Sequence, residues 1–330
     1  MKKKSIGILG SGSWATALVK ILSENTSKIN WFIRNREIID QIKAAKRNPK
    51  YLSSVDLNLN KLEIDSDINK VIHESEIIII AIPSPFIESS LNSLKKLLSN
   101  KFLVSASKGI IPETFLTISE HLNKEYNIPK KNIAIISGPS HAEEVAQEKL
   151  TYLTVGTKNF KLGKYISNLL KTKYVISTPS KDMIGIEYSS SLKNIYSIMV
   201  GIAHGLGYGD NFLSVLISHC SKEMGDFIKA VHKTNRKIND SAYLGDLLVT
   251  TYSSFSRNRT FGNMIGRGYS ISSAKAEMNM VVEGYYATKN AFILSKKFST
   301  KFLIIDICHK ILFENKSAHR QIEGLSKKLY

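Results

Sequence analysis

Cysteine, proline and tryptophan are scarce in this chain: two, seven and two in 330 residues. Two cysteines, Cys220 and Cys308, cannot build a disulfide framework and fit a reducing, cytoplasmic setting. There is no Cys-x-x-Cys, and none of the eight histidines stands in His-Glu-x-x-His, so a metal site has no support. No apolar run approaches the roughly 18 residues of a membrane span. The longest, Ile77 to Ile82, stops at Pro83. Lys2 to Lys4 carry the charge of a signal peptide, but Gly10-Ser11-Gly12-Ser13 interrupts the stretch that would have to be apolar. Acidic residues are also few, 28 against 46 Lys and Arg, leaving a net charge of +18. That surplus is scattered over Lys2 to Lys4, Lys43 to Lys50, Lys95-Lys96, Lys158 to Lys173 and Lys327-Lys328. Without a long basic block, interleaved aromatics or a zinc-finger or RNA-binding signature, it reads as solvated surface, and polyanion binding is a distant third reading.

What is present is an alternation. Short β-branched runs at Ser5 to Leu9, Ile29 to Ile33, Ile77 to Ile82, Phe102 to Ala106, Ile133 to Ser137, Tyr152 to Gly156 and Tyr174 to Ser177 predict strands. Amphipathic stretches at Trp14 to Ser23, Phe86 to Leu98 and Phe115 to Leu122 predict helices between them. This order predicts a doubly wound sheet, parallel at least in its first half. After Pro179 apolar residues recur at Ile184, Tyr188, Leu192, Ile195, Met199 and Ile202, a helical period over five turns. Further helical stretches follow at Leu213 to Val231, Ile271 to Val282, Ala287 to Lys297 and Phe302 to Phe313, while Gly205 to Asp210 reads as a turn. The expected architecture is an α/β Rossmann-like N-terminal domain, residues 1–180, followed by an all-α C-terminal domain, residues 181–330.

Gly10-Ser11-Gly12-Ser13-Trp14-Ala15 lies between the first strand and the first helix and fits G-x-G-x-x-A. The first glycine permits the tight turn, the second admits a pyrophosphate, and the small third residue lets helix pack on strand. The helix N-terminus then offers free N–H groups to phosphate. At the end of the second strand, Ile33-Arg34-Asn35-Arg36 has no carboxylate for a ribose hydroxyl before Glu37. An arginine there can pair with a 2′-phosphate, which favours NADP over NAD.

Lys193, in Ser189-Ser190-Ser191-Leu192-Lys193-Asn194, sits one step past the apolar stripe of the long helix. It is either a lysine with a lowered pKa that exchanges protons, or one snorkelling from the edge of a core helix. Ser256-Arg257-Asn258-Arg259 reads as a polar loop, exposed or able to hold a phosphorylated small molecule through the planar fork of Arg257. The adjacent pairs His219-Cys220 and Cys308-His309 point apart and make no nucleophile, and Gly138-Pro139-Ser140-His141 is not a hydrolase elbow.

Eight ordered segments carry a resemblance. They are Gly10 to Leu18, Ser107-Lys108-Gly109, Ser137 to Ser140, Ser191 to Asn194, Gly201 to Asn211, Leu244 to Leu247, Ser256 to Arg259 and Val282-Glu283-Gly284. Together they span nearly the whole chain, which resembles the bacterial NAD(P)-dependent glycerol-3-phosphate dehydrogenase family. The resemblance implies hydride transfer between a reduced nicotinamide, NADPH favoured over NADH, and C2 of dihydroxyacetone phosphate, giving sn-glycerol 3-phosphate for membrane lipid synthesis. It also implies a cytoplasmic homodimer that needs no metal and no nucleic-acid partner. By the same resemblance Lys193 is the proton-transfer residue, with Lys108, Gly138, Ser140, Asp246, Ser256, Arg257 and Asn258 around the substrate. Asp246 is expected to orient Lys193. Gly10, Gly12, Ser13, Trp14, Arg34, Asn35, Lys108, Ala142, Arg257, Val281 and Glu283 would hold the dinucleotide. Ser191 departs from the usual alanine of the pattern. The alternative is a related Rossmann-plus-helices dehydrogenase of hydroxy acids, against which the Ser256–Arg259 segment speaks.

Overall fold

Runs such as Ile77–Ile80, apolar at every position, can only be satisfied in a sheet covered on both faces. The computed structural model, which describes residues 4–278 and 280–329, places that run at the centre of one. The chain divides into two compact units, Met1–Ser107 with Ile118–Met183, and Lys108–Thr117 with Ile184–Tyr330.

The first unit carries β1 (Ile6–Leu9), β2 (Ile29–Phe32), β3 (Leu62–Asp65), β4 (Ile77–Ile80), β5 (Phe102–Ser105), β6 (Ile133–Ser137), β7 (Thr151–Thr157) and β8 (Val175–Ser180). Their order is β3-β2-β1-β4-β5-β6-β7-β8. Strands β1 to β6 are parallel, β7 runs against β6, and β8 is parallel to β7. Ile6 of β1 pairs with Ile29 on one side and Ile77 on the other, so the winding reverses between β1 and β4. In open α/β sheets ligands bind at the carboxyl ends of strands beside such a reversal. Ile8, Leu18, Trp31, Val104 and Ile136 are buried in the core.

All seven expected strands are present, and one was not expected. Leu62–Asp65 is a half-buried edge strand of four residues, two of them acidic, too short and too polar to show alternation. The expected helix Phe86 to Leu98 is broken into Ile87–Leu91 and Lys95–Leu98 with 3₁₀ turns at Ser84–Phe86 and Asn92–Leu94. Ser89, whose hydroxyl bonds the Phe86 carbonyl, belongs to a Ser- and Asn-rich stretch that competes with the helical ladder. The helix expected from Phe115 starts only at Ile118, because Phe115 takes a left-handed φ of 56°.

In the second unit the helix Met183–Gly205 is buried almost all round, Ile195, Tyr196, Ile198 and Met199 included, rather than along one stripe. Such a helix is the centre of its domain. It crosses Arg257–Gly266 at backbone contact. A Cβ at Gly201 or Gly205 would strike the carbonyl of Arg259 or Asn263, and one at Gly262 or Gly266 that of Ile198 or Ile202. Ser256–Arg259 is therefore not a loop. Ser256 caps the Arg257–Gly266 helix, its hydroxyl accepting from the Arg259 amide at 3.4 Å. The helix expected over Ile271 to Val282 ends at Glu277, with Met278 extended, and the next helix, Glu283–Ser295, begins earlier than Ala287. Gly205 to Asp210 is the expected turn into Asp210–Val231. Among the described residues no helix is long and apolar enough to cross a membrane.

Candidate active site

In the first unit the glycine-rich turn follows β1 directly. Gly10 has a φ of 127°, and a Cβ there would collide with the Ala81 carbonyl, so only glycine fits. At Gly12 a Cβ would meet no protein atom within 4 Å. That open face lies where the helix Ser13–Asn25 begins, with its N–H groups and positive dipole end. The Ser13 hydroxyl donates to the Tyr51 carbonyl at 3.0 Å, and the Trp14 indole N–H is buried without a hydrogen-bond partner. A shaped turn with room at its second glycine, beside a free donor, fits the phosphates of a dinucleotide.

Beyond β2, Arg34 is exposed, and Asn35 accepts from the Glu37 amide at 2.8 Å to cap Arg36–Ala45. Beyond β6, Gly138 has a φ of 122°, the Ser140 hydroxyl donates to the Gly138 carbonyl at 2.8 Å, and Ala142 opens the helix Ala142–Ala146. These residues share the carboxyl edge of the parallel strands.

In the second unit Lys193 does not snorkel. It is 2% exposed and its ammonium donates to the carboxylate of Asp246, itself 1% exposed. Burial pulls the Lys193 pKa down from its ordinary value, the Asp246 charge opposes that, and the nearby positive charge of Lys108 adds to it. Asp246 opens the helix Asp246–Tyr252 just after a π-helical turn, Ser241–Gly245. Ser189, on the same helix as Lys193, anchors that turn by donating to the Ala242 carbonyl at 3.2 Å.

Around this pair stand the helix ends. Arg257 donates to the Val281 carbonyl at 3.3 Å. The Asn258 side-chain oxygen accepts from the Gly284 amide at 2.9 Å, and a Cβ at Gly284 would strike both it and the Asn194 carbonyl. Burial raises the Glu283 carboxyl above its ordinary value, against the lowering charges of Arg257, Lys108 and Lys193. Lys108, Lys193, Asp246, Arg257 and Glu283 thus form one electrostatic cluster. Among the described residues no group of three or more His, Cys, Asp or Glu is placed to hold a metal ion.

Residues 5–162 match the profile of the NAD-dependent glycerol-3-phosphate dehydrogenase N-terminus, and residues 182–323 that of its C-terminus. The chain belongs to the NAD-dependent glycerol-3-phosphate dehydrogenase family. Within it, a Bacillus velezensis protein named glycerol-3-phosphate dehydrogenase [NAD(P)+] is 34% identical over 326 residues, 98% of this chain and 94% of the relative. One of the same name from Clostridium botulinum (strain Eklund 17B / Type B) is 34% identical over 321 residues, 97% of this chain and 96% of that one. The crystal structure of the Coxiella burnetii glycerol-3-phosphate dehydrogenase aligns with a TM-score of 0.91 and 28% identity over 98% of both chains.

Three residues of this glycerol-3-phosphate dehydrogenase family member join the cluster without having been singled out from sequence. Asn194 reaches Glu283 Oε2 at 3.5 Å. The Ser197 hydroxyl donates to the Thr250 carbonyl at 2.8 Å and lies 2.9 Å from the Ser256 hydroxyl, tying the two helix ends together. Thr250 hydrogen-bonds back to the Asp246 carbonyl at 2.6 Å. Asn194 adjoins Lys193 in sequence, which was the available signal. Ser197 and Thr250 become visible only once the helices are packed.

Proposed function

We propose that this protein is an NAD(P)-dependent glycerol-3-phosphate dehydrogenase that interconverts dihydroxyacetone phosphate and sn-glycerol 3-phosphate. The observation that carries the reading is the buried Lys193–Asp246 pair with Lys108 and Arg257 in the same cluster. When bound, the reduced nicotinamide supplies the hydride that reaches C2 of the substrate. Lys193 gives the proton to the oxygen that becomes an alkoxide, and takes it back in the reverse direction. Asp246 holds the ammonium in place and keeps it charged despite its burial. Lys108 stabilises developing negative charge on that oxygen. Arg257, Ser256 and Asn258, at a helix N-terminus, take the substrate phosphate, and Gly138 and Ser140 complete the substrate contacts.

Gly10, Gly12, Ser13, Trp14, Asn35, Ala142, Val281 and Glu283, with Lys108 and Arg257, hold the dinucleotide. Exposed Arg34 inclines the choice to NADPH through its 2′-phosphate. The enzyme works in the cytoplasm as a homodimer, and its product feeds membrane lipid synthesis. Light scattering on the eluting protein checks the dimer.

Initial rates with dihydroxyacetone phosphate and NADPH or NADH in turn test reaction, substrate and cofactor together. Lys193→Ala is expected to lower kcat by about 10²- to 10⁴-fold with NADPH binding retained. Full turnover in that variant, or no turnover in the wild type, overturns the assignment. Arg257→Ala should weaken the phosphorylated substrate far more than an unphosphorylated hydroxy acid.

A further inference from the structure

The side chains of Trp31, a core residue, and Asn48 both end on the glycine-rich turn. The Trp31 indole N–H donates to the Gly10 carbonyl at 2.7 Å. The Asn48 amide donates to the Ser11 carbonyl at 2.9 Å and to the Thr16 hydroxyl at 2.8 Å. Thr16 in turn donates its hydroxyl to the Gly12 carbonyl at 3.1 Å and its backbone N–H to the same atom at 3.0 Å. Three successive carbonyls, 10, 11 and 12, are therefore each held by a donor from the protein interior. Trp31, Asn48 and Thr16 are all 0% exposed.

In a planar trans peptide the carbonyl of one residue and the N–H of the next point to opposite sides, and no peptide bond of the described chain is cis. Holding the carbonyls of Gly10, Ser11 and Gly12 inward therefore aims the N–H groups of Ser11, Gly12 and Ser13 outward, toward the open face at Gly12. Successive N–H groups aimed at one point make an anion site. Glycines allow a turn many conformations, so something else must select the one that binds phosphate. We propose that Trp31 and Asn48 are the positioning residues that make this selection, and so set dinucleotide affinity without touching the ligand. This inference rests on the dinucleotide reading of the turn and deepens it.

The segment bearing Asn48 is built for such a task. It leaves the helix Arg36–Ala45 through Lys46 in a left-handed conformation, φ 54°. It is then clipped by Leu52 N–H to the Asn48 carbonyl at 3.1 Å and by Leu57 N–H to the Lys46 carbonyl at 2.8 Å. Leu52, Val55 and Leu57 are buried in the core of the first unit. The Tyr51 carbonyl, from the same strap, receives the Ser13 hydroxyl at 3.0 Å. An asparagine suits position 48 because one NH₂ group can donate to two acceptors at once, which an aspartate cannot do.

Fluorescence titration with NADPH and steady-state kinetics on the full-length protein test this. Trp31→Phe, which keeps an aromatic side chain but removes the donor and part of the indole's volume, and Asn48→Ala are each expected to raise the NADPH Kd and KM by about 3- to 10-fold. The KM for dihydroxyacetone phosphate and kcat at saturating NADPH should stay within about twofold, and Asn48→Ser serves if the alanine variant does not fold. Variants that bind NADPH like the wild type, or that lose kcat, both KM values and thermal stability in step, overturn the positioning role while leaving the function standing. A wild-type protein that binds neither NADPH nor NADH overturns both.

Discussion

A lysine ammonium sealed from water loses its hydration and sheds its proton more readily, and a carboxylate beside it pulls the other way. Lys193 lives under both influences, with burial the larger. Reduction of a carbonyl needs the lysine protonated at the outset, so the rate of that direction falls as pH rises through its lowered pKa. Removing the Asp246 charge takes away the influence that raises this pKa. Asp246→Asn is therefore expected to shift the alkaline fall in kcat/KM for dihydroxyacetone phosphate to lower pH. Above the shifted value it should cost about 10²-fold or more in rate, since the general acid is both less charged and less well aimed. NADPH affinity, read by fluorescence, should stay near that of the wild type. An unshifted pH profile would show that Asp246 is a packing residue and not a partner in proton transfer.

Elements in the helical unit are joined by side chains that reach far along the chain. The helix Leu303–Phe313 begins after Phe302, which has no capping group. Its Ile304 and Ile305 amides are satisfied instead by Glu223, on the helix Asp210–Val231, at 2.8 and 3.1 Å. Burial raises the Glu223 carboxyl to about 7, with Asp226 adding to the rise and the two amides opposing it. An acid whose folded value exceeds its unfolded one stabilises the native state when protonated, so stability is lost as pH rises from about 4.5 to about 7. The separation corresponds to roughly 3 kcal/mol. Urea unfolding at a series of pH values should show the wild type losing about that much relative to Glu223→Gln across this window. A difference that does not change with pH would refute the prediction. Non-local pairings of this kind explain what the sequence leaves hidden. Ile77–Ile82 and Gly10–Ala15 are legible because strand burial and a tight turn impose their own local composition. The start of Arg257–Gly266 is not, because Ser256 and Arg257 are equally at home in a loop until Gly262 and Gly266 are seen to pack on Ile198 and Gly205 of the long helix. The same holds for Lys193, whose stripe-edge position hides the fact that its helix is covered on nearly every side.

Over the whole molecule the net charge of +18 has to be weighed against what the ligands carry. Many of the basic side chains are spent locally, Lys20 on Glu148, Lys70 on Asp65 and Lys275 over the Tyr285 ring, among others. The excess remains, spread along the chain without a concentrated block, and so acts as a diffuse field. Such a field raises the encounter rate of small anions and is screened once the Debye length, about 10 Å at 0.1 M salt, shrinks toward 3 Å near 1 M. A phosphorylated substrate and a dinucleotide are both anions, so kcat/KM for each should fall about 3- to 10-fold between about 20 mM and 500 mM NaCl. The Lys193–Asp246 pair is sealed from solvent and far less open to screening, so kcat at saturation should change by less than about twofold. Steady-state rates across that salt series separate the two effects. If kcat fell in parallel with kcat/KM, salt would be acting on the buried pair or on the fold. If neither moved, the positive surplus would have no part in gathering the ligands, and its spread along the chain would serve solubility alone.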